Sequence, residues 1–306
     1  VSRRVPEIAA AEGYFSAKAE TRVEGEGAER HLLVVVTPGP RTIIDNVIIE
    51  FEGDVSADGD GREAQREEVR RSWTLKVGSF FRQADWDDAK ARITEKLSET
   101  YYAAANVADS VALVDAVAAK ATLKVILESG PRFTTGLVVI DGLKRYDTEL
   151  VLRYSKFQVG DPYRLDRIVQ LQRNLQNAPW FASVVVDVER DPQSPVNVPV
   201  KITISERPPV DLGLSLGYGT DTAARGEISL RDRNVFNSAL DMQSAIAVDK
   251  TRQTGYADFF LPPLTFGGPF GDQLTTRDSF GVLFEHRSNQ GLDTQRVAFA
   301  TYRQFK

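Results

Sequence analysis

The hydrophobic period of this chain changes at Pro208-Pro209, so the residues on either side must fold by different rules. Downstream, apolar side chains alternate strictly with small or polar ones, the period of a strand with one apolar face. Val210, Leu212, Leu214, Leu216 and Tyr218 stand against Asp211, Gly213, Ser215, Gly217 and Gly219. After a turn at 219–222, a second strand sets Ile228 and Leu230 against Glu227, Ser229, Arg231 and Arg233. Past Asn237-Ser238, a third sets Leu240, Met242, Ile246 and Val248 against Asp241 and Gln243. A fourth, over 254–261, is expected to end at Pro262-Pro263, with a loop at 266–271. A fifth carries Phe280, Val282 and Phe284, and a sixth runs from Asp293 to the last residue.

Upstream the chain repeats itself, and a repeat constrains the fold before any single element does. An apolar run recurs at 31–37, 122–128 and 200–206. The first two lead into Gly39-Pro40-Arg41 and Gly130-Pro131-Arg132, each followed by a β-branched strand. Further in, Lys76-Val77-Gly78 and Gln158-Val159-Gly160 each precede an amphipathic segment. The second of these carries Leu165, Ile168, Val169, Leu171 and Leu175, close to one helical stripe. Each unit therefore reads strand, helix, helix, strand, strand, and residues 1–37 supply only the back part of an earlier one. The last strand of each unit is almost continuously apolar, as a central strand would be. The strand before it alternates and carries charge, as an edge strand would.

Alternation alone fits two readings of residues 208–306. One is a soluble antiparallel sandwich; the other is the start of a membrane β-barrel, apolar toward lipid and polar toward a lumen. Strand lengths near ten, Gly and Ser on one face of the first strand, and aromatic strand ends (Tyr218, Phe236, Phe259, Phe260) favour the barrel.

Composition narrows the chemistry. The charge balance is slightly acidic, formally −5, which gives no reason to expect nucleic acid as a partner. Cysteine is absent, which removes disulfides, thiolate metal sites and cysteine nucleophiles. The two histidines, His31 and His286, have no neighbours at ligand spacing, so no metal site is expected. The acidic segment Ser56-Ala-Asp58-Gly-Asp60-Gly61 lacks the first ligand of a calcium loop and reads as a solvated loop. No catalytic constellation and no cofactor motif emerges, so the chain reads as a non-enzyme. No run is long and apolar enough for a membrane helix. With neither an initiator methionine nor a signal peptide at its start, it reads as a fragment begun inside one domain and cut inside another.

The Gly-Pro-Arg units, the run Ser205-Glu206-Arg207-Pro208-Pro209, the segment Leu216-Gly217-Tyr218-Gly219-Thr220-Asp221-Thr222 and the stretch from Glu227 to Asn237 together resemble the bacterial outer-membrane barrel assembly superfamily. Within it, they resemble most the barrel subunits of translocation and assembly modules. The resemblance implies α+β POTRA repeats (β-α-α-β-β) followed by the first antiparallel strands of an outer-membrane β-barrel. It divides the chain into the C-terminal part of a POTRA domain (1–37), two POTRA domains (38–129 and 130–207) and about six strands of a transmembrane barrel (208–306). It implies an outer-membrane location with the POTRA domains in the periplasm.

The same resemblance implies a protein that inserts and assembles outer-membrane proteins, autotransporters in particular. Its partners would be unfolded outer-membrane clients, outer-membrane lipid and an inner-membrane-anchored subunit spanning the periplasm. The alternatives are a two-partner-secretion pore and a soluble periplasmic scaffold. The chemistry expected is recognition by backbone, since an edge strand offers unpaired N–H and C=O groups to an incoming strand. The expected gate strand is Val210, Leu212, Leu214, Leu216 and Tyr218, at a seam that opens toward lipid. POTRA edges are expected at 17–24, 106–114 and 183–190, the last carrying Val184, Val186 and Val188. On the barrel reading, an arginine at Leu214 should be tolerated worse than a leucine at Arg231.

Overall fold

The computed structural model describes residues 4–25, 30–219, 223–267, 273–289 and 291–305. The expected turn at 220–222 and most of the expected loop at 266–271 lie outside them. The chain groups into two compact units, and the second module contributes to both. Unit one holds residues 1–135 together with the segments 160–165 and 190–198. Unit two holds 136–159, 166–189 and everything from 199 onward.

Unit one begins with α1 (Arg4–Ala11) and the hairpin β1 (Lys18–Glu24) and β2 (His31–Thr37), paired antiparallel over their whole length. The apolar run of β2 leads one to expect a central strand, but among the described residues its only strand partner is β1, and Leu33, Val35 and Val36 are exposed. Among the described residues no helix pair covers this sheet. The complete module follows: β3 (Ile43–Glu52), α2 (Arg62–Arg71), α3 (Gln83–Ser98), β4 (Asn106–Asp115) and β5 (Lys120–Glu128). The sheet order is β3-β5-β4, with β5 parallel to β3 and antiparallel to β4. A parallel neighbour needs a long crossover, which the two helices supply.

Alternation on β5 then sets the layers. Leu123, Val125 and Leu127 are fully buried among Val69, Trp86, Ile93 and Leu97 of the helices. Each such side chain withdrawn from water contributes about 1.5–3 kcal/mol. The opposite face is crossed by ion pairs, Lys120 with Asp45 at 2.8 Å and Lys124 with Glu50 at 3.0 Å.

The second module repeats the plan with β6 (Thr135–Asp141), α4 (Thr148–Leu152), α5 (Leu165–Gln176), β7 (Phe181–Val188) and β8 (Val198–Glu206), in the order β6-β8-β7. Its first helix is a single short turn, and its second buries Ile168, Leu171 and Leu175. Val169, expected on the apolar stripe, is 37% exposed because the buried face follows i, i+3, i+7.

The remaining strands form one antiparallel sheet: β9 (Val210–Gly219), β10 (Ala223–Val235), β11 (Leu240–Val248), β12 (Arg252–Phe260), β13 (Leu264–Gly267), β14 (Gln273–Asn289) and β15 (Leu292–Phe305). The fourth strand, β12, ends at Phe260, ahead of Pro262-Pro263 as expected, but residues 266 and 267 belong to β13 and not to a loop. β12 pairs Arg252 with Arg287 and Phe260 with Ser279, and β13 resumes along the same edge of β14, pairing Leu264 with Thr276. The prolines lack the N–H that a ladder needs, so the strand is interrupted there and then continues.

Register fixes which side chains share a face. Leu214 faces Ile228, which faces Ile246, and Leu212 faces Leu230. On the other side Asp211 faces Arg231, which faces Gln243. The apolar face is exposed, with Leu214 at 75% and Leu216 at 91%. Such a continuous apolar surface calls for a covering.

Candidate functional site

The expected gate strand, β9, is an edge of its sheet. One side pairs with β10 from Val210 opposite Asp232 to Gly219 opposite Ala223. Its other side has no strand partner among the described residues. Val210, Leu212, Leu214, Leu216 and Tyr218 are all exposed on the apolar face. A Cβ built on Gly213 would lie 2.4 Å from Ser229 Oγ, so a side chain there would require the serine hydroxyl to turn away.

The module edges differ from one another. β4 and β7 are edge strands, as their alternation suggests, and β1 is half of a two-stranded sheet. On β7, however, Val184, Val186 and Val188 are buried against the helices and cannot touch a client. On the other face Val185 is exposed, and part of the backbone edge of β7 is occupied. Gln172 Oε1 accepts from Val186 N at 3.0 Å, and Gln176 Nε2 donates to Val184 O at 3.0 Å. Residues 172 and 176 are one helical turn apart on α5, so a single face of that helix occupies both groups. These two glutamines escape a reading of apolar periodicity, because they sit between the buried positions.

The run 205–209 is a clamp between β8 and β9. The Glu206 side chain, 3% exposed, accepts backbone N–H bonds from Lys144 at 2.7 Å and Arg145 at 2.8 Å, and lies 3.4 Å from Tyr146 N. The Arg145 guanidinium adds a 3.1 Å ion pair. Burial pushes the Glu206 carboxyl up, but these backbone donors and the Arg145 charge outweigh it and hold the group below its ordinary value. Arg207 donates through N to Trp180 O at 2.8 Å and through Nε to Phe181 O at 2.7 Å. From the sheet side, Arg233 reaches Pro208 O at 3.0 Å and Asp211 Oδ2 at 2.5 Å, while its own N–H bonds Pro209 O at 2.8 Å.

The same construction occurs twice upstream. Arg41 of the first Gly-Pro-Arg donates Nε to Glu12 O and lies 4.7 Å from the Phe80 ring, while Thr42 N bonds Gly13 O at 2.8 Å. Arg132 of the second lies 4.5 Å from the Tyr101 ring and 3.5 Å from Asp54, while Phe133 N bonds Tyr101 O at 2.7 Å. At each joint an arginine and an adjacent N–H engage the aromatic turn that ends the preceding module's helices. β9 is thus preceded by the joint that links successive modules. Asp54 and Asp60 of the acidic loop pair with Arg62 at this second joint. Arg62 and the Tyr102 hydroxyl hold the Asp54 carboxyl below its usual range, against burial.

Residues 133–207 match the POTRA family described as "surface antigen variable number repeat". Immediately after that match comes the antiparallel sheet, and a solved BamA of Haemophilus ducreyi lacking POTRA domains 1–3 has the same arrangement. It superposes with a TM-score of 0.65 at 13% identity, covering 86% of this chain and 47% of that one. The chain thus joins a POTRA module to a sheet with the fold of that BamA structure. The outer membrane assembly factor BamA of Neisseria meningitidis serogroup B is 21% identical over 216 residues, 71% of this chain. The chain spans about a quarter of that relative's length, the match covering 27% of it. A structure of CdiB from Acinetobacter baumannii also aligns, at 13% identity over 87% of this chain and 54% of its own, with a TM-score of 0.42. POTRA-type α+β modules therefore precede an antiparallel sheet whose fold is that of the strands following the POTRA domains in BamA. In a closed membrane barrel the apolar face would meet lipid and the Asp211–Arg231–Gln243 face the lumen.

Proposed function

We propose that this protein inserts and assembles outer-membrane proteins, autotransporters among them, and that it is a TamA-like barrel subunit acting without enzymatic chemistry. The POTRA units are residues 1–37 (in part), 38–129 and 130–207, and barrel strands fill 208–306. The observation that carries the reading is the outer edge of β9, a ten-residue strand whose N–H and C=O groups on that side meet no strand among the described residues. In a closed barrel that edge pairs with the last strand. A seam there that opens toward lipid would template an incoming strand and spare it the several kcal/mol that each unpaired amide costs in hydrocarbon. Clients would be unfolded outer-membrane proteins, delivered along the backbone edges of β1 and β4, with β7 contributing where its glutamines leave it free. A periplasm-spanning subunit anchored in the inner membrane would complete the module.

A covalent lock tests the seam. These 306 residues contain no cysteine, so a pair placed at Leu214 or Leu216 and at the facing position of the last strand meets no competing thiol from them. The expected result is loss of client insertion under oxidising conditions, full recovery on reduction, and an unchanged heat-modified gel mobility of the barrel. Normal client assembly by the locked protein would overturn lateral opening and leave the secretion-pore reading.

A further inference from the structure

A cavity of about 570 Å³ lies within unit two, between α5 with its flanking loops and the ends of β12 and β14. That volume lies in the range of specific binding pockets, and the lining mixes apolar walls with polar and charged groups, Lys156, Asp166, Arg167 and Arg277 among them. Tyr154, Phe157, Trp180 and Phe260 form the walls. Burial pushes the Tyr154 phenol up to about 12, so it stays a neutral donor at any physiological pH. Gln170 and Asn174 line the cavity from α5, Gln170 Nε2 donating to Asn174 Oδ1 at 2.8 Å, and Asn177 lines it from just past the end of the helix. Two further lining residues hold polar atoms that are buried and have no hydrogen-bond partner, Trp180 Nε1 and Thr276 Oγ1. Groups of that kind are rare in folded proteins, and their presence at a cavity points to a ligand that completes them.

We propose that this cavity binds an extended polypeptide segment bearing an aromatic or long aliphatic side chain. Three side-chain amides offer donors and acceptors together, which matches a peptide backbone and would be wasted on an acyl chain. Position supports the same choice. Phe260 stands opposite Asp241 and Ser279 in the ladder, and so belongs to the lumen face and not to the face that meets lipid. Arg277, its guanidinium carbon 5.5 Å from the Phe260 ring, adds a cation that favours an acidic residue beside the anchor. The cavity is separate from the β9 edge. That its natural occupant is an unfolded client rests on the assembly reading; that it takes peptide does not.

The test uses the full-length protein in detergent and a short fluorescein-labelled peptide of alternating phenylalanine and serine with blocked termini and one aspartate. Thr276→Val removes a hydroxyl that bonds nothing in the unliganded protein, so the melting temperature should not fall. Peptide affinity should drop by about three- to tenfold, the worth of one hydrogen bond. Asn174→Leu should weaken binding similarly, and the double variant more than either. Equal affinity for the wild type and both single variants would overturn the proposal. So would binding of a fluorescent fatty acid that the peptide cannot displace, which would make the cavity a lipid site. The seam-locked protein should still bind the peptide. Binding retained while the locked protein assembles clients normally would sink the opening seam and leave the cavity standing.

Discussion

Arg231→Leu is expected to destabilise the barrel by about 3–5 kcal/mol, as much as or more than an arginine placed on the lipid face. The sequence suggests the opposite order, since a polar lumen position should accept leucine easily. The structure reverses it. Arg231 makes two bonds to Asp241, Nε to Oδ1 at 3.0 Å and Nη2 to Oδ2 at 2.9 Å, and Asp241 is 0% exposed. Gln243 stands 3.5 Å from the same carboxylate, too far to replace a guanidinium. Removing Arg231 therefore leaves a buried carboxylate without its cation, the costly way to break an ion pair. By comparison, Leu214→Arg should cost about 2–4 kcal/mol if it sits at mid-membrane and less near an interface. Urea unfolding of the full-length protein in lipid vesicles checks both values. The double variant Arg231→Leu/Asp241→Leu should recover most of the loss, because it removes charge and counter-charge together. A negligible loss for both Arg231→Leu and Leu214→Arg would point to neither a buried pair nor a lipid face.

Glu206→Ala should cost about 2–5 kcal/mol in the same assay, because one carboxylate satisfies backbone donors that no other group reaches. Glu206→Gln, which keeps an acceptor oxygen and loses the charge, should cost less. The pH dependence has a definite sign. The folded carboxyl titrates below its ordinary value of 4.5, so the unfolded chain binds the proton more readily. Its contribution is complete above that value and disappears as pH falls through the lower, folded one. The gap between wild type and Glu206→Gln should thus narrow under acid conditions and stay flat from there to neutrality. A gap that widens on acidification would mean that the charge is unfavourable in the folded state. The joint should also show in function, since Arg207 and Arg233 hold the backbone on either side of Pro208-Pro209.

Much of this protein was legible in its residues. The repeated Gly-Pro-Arg blocks and the apolar runs before them mark the modules, because a three-stranded sheet under two helices demands the same order of periods each time. The alternation from Val210 onward fixes which side chains share a face, since neighbours along a strand must point to opposite sides. Ser-Glu-Arg-Pro-Pro could be recognised as a motif but not explained. Its meaning lies in Lys144, Arg145 and Trp180, residues that only folding brings to it.

What tertiary structure alone decided are contacts between residues far apart in sequence. Pattern says that 183–190 is an edge strand, but not that Gln172 and Gln176 already occupy two of its backbone groups. Pattern places Arg231 on the polar face, but not its pairing with an aspartate that no solvent reaches. It ends a strand at Pro262-Pro263, whereas β14, long enough to pair on both sides of the prolines, carries the ladder past them. Periodicity is a property of the local backbone, so it is written in neighbouring residues. Burial, ion pairing and the occupation of an edge depend on what the fold lays alongside, and no local pattern encodes that.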